Sequence, residues 1–470
     1  MKRLAAYTIM FFLLWGAWLF MCPNYLRILE GFDFFTTLPD FTELNLEIPR
    51  PGFMYISSFL LQFYRFPVLG ALINAFIIML QVLCIDTLVR KLFKESEGLW
   101  WIALIPTPFF TRILTQDLGL VTPLIWLTSL AAAAVAAGII MLKIKPFIQL
   151  PRLMHKLWTG AAVGVVSVCI SGFMIYNGLV RDGREEMAAL DYMVEHRQWD
   201  RILEEVSVQD AKENGYMRKC ALLALTQKGM LAEEAFRYGI SGSDDFHYQA
   251  PEMSMYRLFN MRFYSSLGIH SPAVYYAYQL ASQFYLGMCF DSARALADTY
   301  LEVKDYDLAE KYIEILSHTA CHRKWVKQRR GQLEAIKECS PEYVAEPSKA
   351  VWGRLTHDMP VMMERCPDDF RYQDIYLCGI LADRKGNMFY PLFSEMAKTR
   401  YADGERIPRV YQEALLVCLS TDPEELRKYD IDKEISDDFK DFGKLVSTGK
   451  ENVARRKYSG TFWAYLFFHR

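Results

Sequence analysis

Charge is scarce at the start of this chain. Residues 1–180 hold 13 Lys and Arg and 9 Asp and Glu, against 40 and 46 in residues 181–470. The first stretch is net +4 and the second −6. Such scarcity, spread over long apolar runs, excludes an ordinary soluble enzyme, and 52% apolar residues in a chain of 470 exclude a disordered one. A basic surplus is also missing. The charged stretch is mildly acidic, which argues against nucleic acid as a partner. Catalytic signatures are missing too. There is no Walker motif and no dinucleotide fingerprint, and Gly239-Ile240-Ser241-Gly242-Ser243 lacks the closing glycine of a nucleophile elbow. Cysteine is present ten times but in no paired pattern. Seven fall between Cys220 and Cys418, and Cys220, Cys378 and Cys418 sit in apolar helical runs, where the thiol serves as a small buried hydrophobe. No disulfide framework, catalytic residue, cofactor-binding residue or metal set is assigned.

What is there is membrane-like. Residues 4–21 form a first apolar run behind Lys2 and Arg3, with Met21 where a lipoprotein signal needs a small residue before Cys22, so the run reads as an uncleaved anchor. A polar loop follows, carrying Glu30, Asp33, Asp40, Glu43 and Glu47. Residues 53–64 are apolar but too short to cross alone, and they read as an interfacial or re-entrant segment. Pro67 suits the first turn of a second span, 68–89. Asp86 stands four residues before Arg90, as expected of a snorkelling charge near a helix end. Residues 99–114 carry Trp100 and Trp101 but also Pro106 and Pro108. Residues 118–142 and 157–180 are further spans, the last with Gly160, Gly164 and Gly172 as close-packing positions.

Positive charge decides the topology. If 99–114 crosses, five spans result, with nine Lys and Arg in the inside segments and four outside. If it only re-enters, the count becomes six inside and seven outside. The positive-inside rule selects five spans, an inside amino terminus and residues 181–470 outside.

Residues 181–470 read as an all-helical soluble domain. The strongest local signal is residues 300–316, YLEVKDYDLAEKYIEIL: a helix ending near Val303, a turn at Lys304-Asp305, then Tyr306, Ala309, Tyr312, Ile313 and Leu316 on one face of a second helix. This resembles the tetratricopeptide repeat, with Lys304 in place of the usual turn glycine. Weaker copies begin at Gln198-Trp199, Gly229-Met230, Gly287 and Gly386. The densely aromatic tail 458–468 (YSGTFWAYLFF) suits a cap on the end of such an array.

Several side chains invite chemistry. His318, Cys321 and His322 lie at helical offsets, yet no fourth metal ligand follows them. His357-Asp358 lacks a nucleophile. Arg323, Lys324, Lys327, Arg329 and Arg330 make a basic run that reads as a solvated face.

Two wider resemblances bear on function. Residues 50–72 (RPG followed by FLLQFYRFPVLGAL) and 408–416 (PRVYQEALL) resemble an uncharacterised family of bacterial multi-spanning inner-membrane proteins with a helical carboxy-terminal region. That resemblance implies no known activity. The acidic first loop with Asp33 and Asp40, followed by an interfacial helix, resembles polytopic glycosyltransferases that use lipid-linked donors. The expected architecture is a transmembrane bundle over residues 1–180 followed by a tetratricopeptide-like α-solenoid over 181–470. Its expected partners are the lipid bilayer and a protein, held on the periplasmic side.

Overall fold

The computed structural model describes residues 2–47, 53–94, 96–115, 133, 135–138, 140, 141, 146, 148–151, 156–284, 287–339, 354–402 and 404–468. Among them the structure is helical, without strands beyond one isolated bridge between Phe93 and Ile148. By its contacts the chain forms two compact units, Met1–Ala189 with Ala277–Glu346 and Leu190–Tyr276 with Pro347–Arg470.

In the first unit three helices are long and apolar enough to cross a membrane: Arg3–Met21, Pro67–Leu92 and Trp158–Val180. Each has an inward face and an exposed apolar face. Leu14, Trp18, Ala75, Ile78 and Val82 are buried, whereas Phe20, Phe76 and Val165 are 83%, 60% and 63% exposed. Exposed apolar surface on this scale is compatible with a membrane environment.

The two ends of this bundle are marked by specific contacts. At one end Arg3 lies 3.4 Å from Asp86, and its guanidinium donates to the Ser96 carbonyl at 2.6 Å. Arg90 reaches Asp86 at 2.7 Å. The Phe93–Ile148 bridge and Trp100 are also here. A Cβ on Gly160 would lie 2.5 Å from Trp100 Cζ2, so only glycine fits. At the opposite end Glu185 accepts from the amides of Asn24 and Tyr25, at 3.1 and 2.7 Å, and so caps the Pro23–Gly31 helix. There too Arg184 donates to the Thr115 carbonyl, and Gly178 lies against Thr115.

The stretch expected as a span at 99–114 is not one helix. It is a 3₁₀ helix, Ser96–Leu104, then an α-helix, Thr107–Leu114. Pro106 and Pro108 explain the break, because neither supplies an amide donor. The first piece is itself kinked at Leu99, where φ is −105° and ψ 17°. Residues 157–180 form the Leu157–Ile175 helix and a π turn, Tyr176–Val180. Most of the expected span 118–142 lies outside the described residues. Residues 53–65 form the Phe53–Leu61 helix and a 3₁₀ turn, Gln62–Arg65.

Six helix pairs share one connection. A helix ends two residues before a left-handed residue, and the next begins two residues after it. The left-handed residues are Arg197, Gly229, Gly268, Lys304, Arg384 and Gly449. In each case the following amide donates to a carbonyl five residues back, Gln198 to Met193, Met230 to Leu225, Ile269 to Tyr264, Asp305 to Tyr300, Lys385 to Ile380 and Lys450 to Leu445, at 2.8 to 3.0 Å. That bond satisfies a carbonyl otherwise orphaned at the helix end. Beyond five of the six turns the fifth and ninth residues are buried together: Ile202 and Val206, Ala273 and Ala277, Ala309 and Ile313, Phe389 and Phe393, Ala454 and Tyr458. That spacing keeps one face of each second helix inward. Lys304 does hold the turn position usually given to glycine, at φ +61°. In the second unit the tail helix Phe462–Phe468 buries Phe462 and Trp463 against Phe236, Phe439 and Phe442.

Candidate functional site: a buried ionic cluster beneath the first loop

The loop between the first two apolar helices packs, within the first unit, on the helices Phe290–Glu302 and Tyr306–Ser317 and the turn after them. Three long-range bonds fix it. The Phe290 amide donates to the Asp33 carbonyl at 2.9 Å, the Thr37 amide to the His318 carbonyl at 3.0 Å, and the Ala320 amide to Gln62 Oε1 at 2.8 Å. Aromatic contacts fill the gaps, with Phe32 stacked on Phe284 and Phe34 against Phe290.

At the centre sits Glu30, on the last turn of the Pro23–Gly31 helix and 2% exposed. His322 Nε2 stands 2.9 Å from its Oε1, Arg294 Nη1 3.5 Å and Arg65 Nη1 3.9 Å from its Oε2. Arg294 also pairs with Asp291, one turn before it. A Cβ on Gly31 would overlap the Asp291 carboxylate, so glycine is what lets the loop close over it.

The proton arrangement follows from the donors. The Thr319 hydroxyl donates to the Leu316 carbonyl at 2.7 Å, so its oxygen accepts from His322 Nδ1, 3.1 Å away. Nε2 is left facing Glu30 and Arg294 Nη1, the latter at 3.1 Å. Burial lowers the His322 pKa, against the pull of Glu30. Neutral His322 then accepts from Arg294. Burial opposes ionisation of Glu30, but the guanidinium groups of Arg294 and Arg65 outweigh it and hold the carboxyl below its usual range. Next to it, burial raises Asp33 to about 6, although the Phe34 amide and the Ser58 hydroxyl, at 3.1 Å, favour its charged form.

Opposite charges are paired within the cluster, so it acts as a fastening, although Glu30 Oε1 and Asp33 Oδ2 are buried without a hydrogen-bond donor. Removing one member of a buried charged set costs about 3–5 kcal/mol, because its partner is stranded.

The side chains singled out in the sequence are mostly dispersed. Asp33 joins the cluster, but Asp40 is exposed on the first turn of the Pro39–Glu47 helix, so the two acids do not converge. His318 and Cys321 are half-buried, His318 pairing with Glu314 at 2.9 Å, and His322 alone is enclosed. No group of three or more potential metal ligands occurs among the described residues. Arg329 and Arg330 of the basic run pair with Asp298 and Glu314. Asp86 is not a snorkelling charge: it is 2% exposed and held between Arg3 and Arg90. The cysteines among the described residues are free thiols. In the second unit His357 is exposed, while Asp358 is buried and accepts from the Arg354 amide at 2.8 Å. Nearby, Ser243, Asp244, His247, Gln249 and Arg354 line a cleft of about 440 Å³. Gly31, Gln62, Asp291 and Arg294 are not legible as site residues in the sequence, since each acquires its role only through a partner far along the chain.

No curated protein and no solved structure matches the chain. The model of a family described as Family of unknown function (DUF6057) matches residues 1–163 and, overlapping them, 118–469. With almost the whole sequence covered, the chain belongs to that uncharacterised family.

Proposed function

We propose that this chain is a membrane-anchored helical-repeat protein that holds a protein partner at the outer face of a bacterial inner membrane. The observation that carries the reading is the recurrence of one turn at Arg197, Gly229, Gly268, Lys304, Arg384 and Gly449. Repeated helix pairs closed in the same way are how tetratricopeptide-like arrays are built, and such arrays bind through broad surfaces. In this reading residues 1–180 are the membrane domain and 181–470 the repeat domain.

Five crossings are supported by the contacts at the two bundle ends. Ser96 lies beside Arg3 and Thr115 beside Arg184, so residues 96–115 run from one end of the bundle to the other. The helix from 157 runs the same way, with Gly160 beside Trp100 and Gly178 beside Thr115. Two successive parallel crossings need a return between them, and the apolar run 118–142 is in that interval. Arg3, Arg90, Lys91 and Lys94 then face the cytoplasm. The first loop and the helices it packs on face outward.

A lipid-linked glycosyl transfer chemistry is the alternative, and the separation of half-buried Asp33 from exposed Asp40 weighs against it. The test compares variants in cells. Ala309→Asp abolishes both function and partner capture, whereas Asp33→Asn and Asp40→Ala leave both. Loss of function in an Asp variant, with protein level and capture intact, makes the chain an enzyme.

A further inference from the structure

The segment 55–66 has two faces of opposite character. One face is polar or enclosed and bonds inward: the Ser58 hydroxyl donates to Asp33, Gln62 accepts from the Ala320 amide, Arg65 approaches Glu30, and the Tyr64 hydroxyl donates to Asn74 Oδ1 at 2.5 Å. Ser57, Leu61, Gln62 and Tyr64 are buried. The other face is apolar and open. Ile56 is 49% and Phe66 48% exposed, with Phe59 also exposed and Phe63 half-buried between them. The spacing of Ile56, Phe59, Phe63 and Phe66 is three, four and three residues, one stripe along the segment.

That stripe does not end at Phe66. Beyond the extended backbone of Phe66 it is followed by Leu69, Leu72 and Phe76, exposed apolar residues of the Pro67–Leu92 helix. A segment that leaves the acyl core with its apolar side chains still open to the outside stays in contact with the same medium. We propose that Ile56, Phe59 and Phe66 are bedded in the acyl–headgroup boundary of the leaflet on the first-loop side, with phospholipid as the occupant. One short segment then holds lipid on one face and the turn at Ala320 on the other. The position of the repeat helices above the membrane is thereby set by the bilayer surface itself. The inference rests on reading Pro67–Leu92 as a membrane span, and its test separates the two.

A photoreactive phenylalanine analogue is placed singly at Ile56, Phe66, Phe76 or Glu43 in the full chain. Each variant is reconstituted in phosphatidylethanolamine–phosphatidylglycerol nanodiscs and irradiated, and adducts are identified by mass. Phospholipid adducts at Ile56 and Phe66, in yields close to that at Phe76 and well above that at exposed Glu43, are the expected result. Lipid at Phe76 with none at Ile56 or Phe66 overturns the interfacial placement and leaves the span intact. A chain-to-chain adduct at Ile56 or Phe66 assigns the face to a second copy and overturns it as well. No lipid at Phe76 removes the span, and with it the inference.

Discussion

Glu30 and His322 meet at 2.9 Å inside the first unit, one from the loop after the first apolar helix and the other from the turn before the helix Arg323–Cys339. The contact ties the end of the Pro23–Gly31 helix to a helical hairpin encoded far downstream. Glu30→Ala strands Arg294, and the loss of stability expected is about 3–5 kcal/mol. Replacing both groups, Glu30→Met with Arg294→Met, removes that stranded charge but takes the ion-pair partner from Asp291, so it is expected to recover only part of the loss. Thermal unfolding of the chain in detergent reads both. Equal destabilisation by the single and double variants refutes the cluster as the fastening.

Glycine at position 31 gives a sharper steric test. A methyl group there meets the Asp291 carboxylate, so Gly31→Ala is expected to cost about 1–3 kcal/mol by overpacking. Gly331 is the control. It lies within the Arg323–Cys339 helix with nothing within 4 Å of an added methyl, so Gly331→Ala is expected to stabilise by up to about 1 kcal/mol. Opposite signs in one melting assay are the expected outcome.

The repeated turn makes a prediction of its own. Arg197, Lys304 and Arg384 hold left-handed backbone angles with a side chain attached. That conformation costs roughly 1–2 kcal/mol relative to one glycine tolerates, so each change to Gly is expected to be neutral or stabilising despite the flexibility it adds. Ala309→Phe, in contrast, forces a ring between two touching helices and is expected to cost about 1–3 kcal/mol. Chemical denaturation distinguishes the two directions.

Much of this local structure is legible in the sequence, and the reason is that it is local. Lys304 with Ala309 and Tyr312, the turns beside Gln198, at Gly229 and just before Gly386, and the apolar runs at 4–21 and 68–89 all declare themselves within one or two helical turns, whereas Gly287, also expected to open a repeat, is not among the six turns. The turns at Gly268 and Gly449 carry the same information, but the residues around them, Ser265-Ser266-Leu267 and Ser447-Thr448, are polar or unpatterned enough to hide it. The broken element at 96–115 is harder to read, because Trp and Pro give opposite signals there and only Arg3 and Arg184 at its two ends reveal its direction. The ionic cluster is not legible at all. Glu30 and Arg294 look like ordinary surface charges until folding brings them together. Asp86 misleads for the same reason, since Arg3, its second partner, lies on another helix.

Protonation gives a test with a defined sign. Glu413 is buried, accepts from the Phe462 amide at 2.7 Å and pairs with Arg409 at 2.9 Å. Burial nevertheless raises its carboxyl to about 7 from an ordinary 4.5. The folded chain therefore keeps a proton that the unfolded chain releases between those values. Stability from this group is full below about 4.5 and falls as pH rises towards 7. Asp33, raised to about 6 from 3.8, acts in the same direction over a lower window. Glu30 acts oppositely, since its lowered value makes its stabilisation present at neutral pH and lost in acid. Glu413→Gln keeps an oxygen for the Phe462 amide and cannot ionise. It is expected to flatten the decline between pH 5 and 7 in a melting series, and an unchanged slope rules Glu413 out as its source.

The orientation of the chain can be tested without knowing its partner. Arg3, Asp86, Arg90 and Ser96 share one end of the bundle, and Glu185 caps the Pro23–Gly31 helix at the other. Because the first loop packs on the helices 290–317, both must occupy the same side of any membrane the bundle crosses. That parity admits an odd number of crossings in all and rejects four. In the proposed orientation the positive charge at the Arg3 end puts that end in the cytoplasm. A reporter active only outside the cytoplasm, fused after Arg470, is therefore expected to be active, and the same reporter inserted after Lys94 to be silent. A maleimide too polar to cross the membrane gives an independent reading when a cysteine replaces exposed Asp40, on a background without the native exposed thiols. Labelling of Asp40→Cys in intact spheroplasts agrees with an outward first loop. A silent reporter after Arg470 together with an unlabelled Asp40→Cys reverses the orientation. A disagreement between the two sites breaks the parity argument, and with it the five-crossing reading.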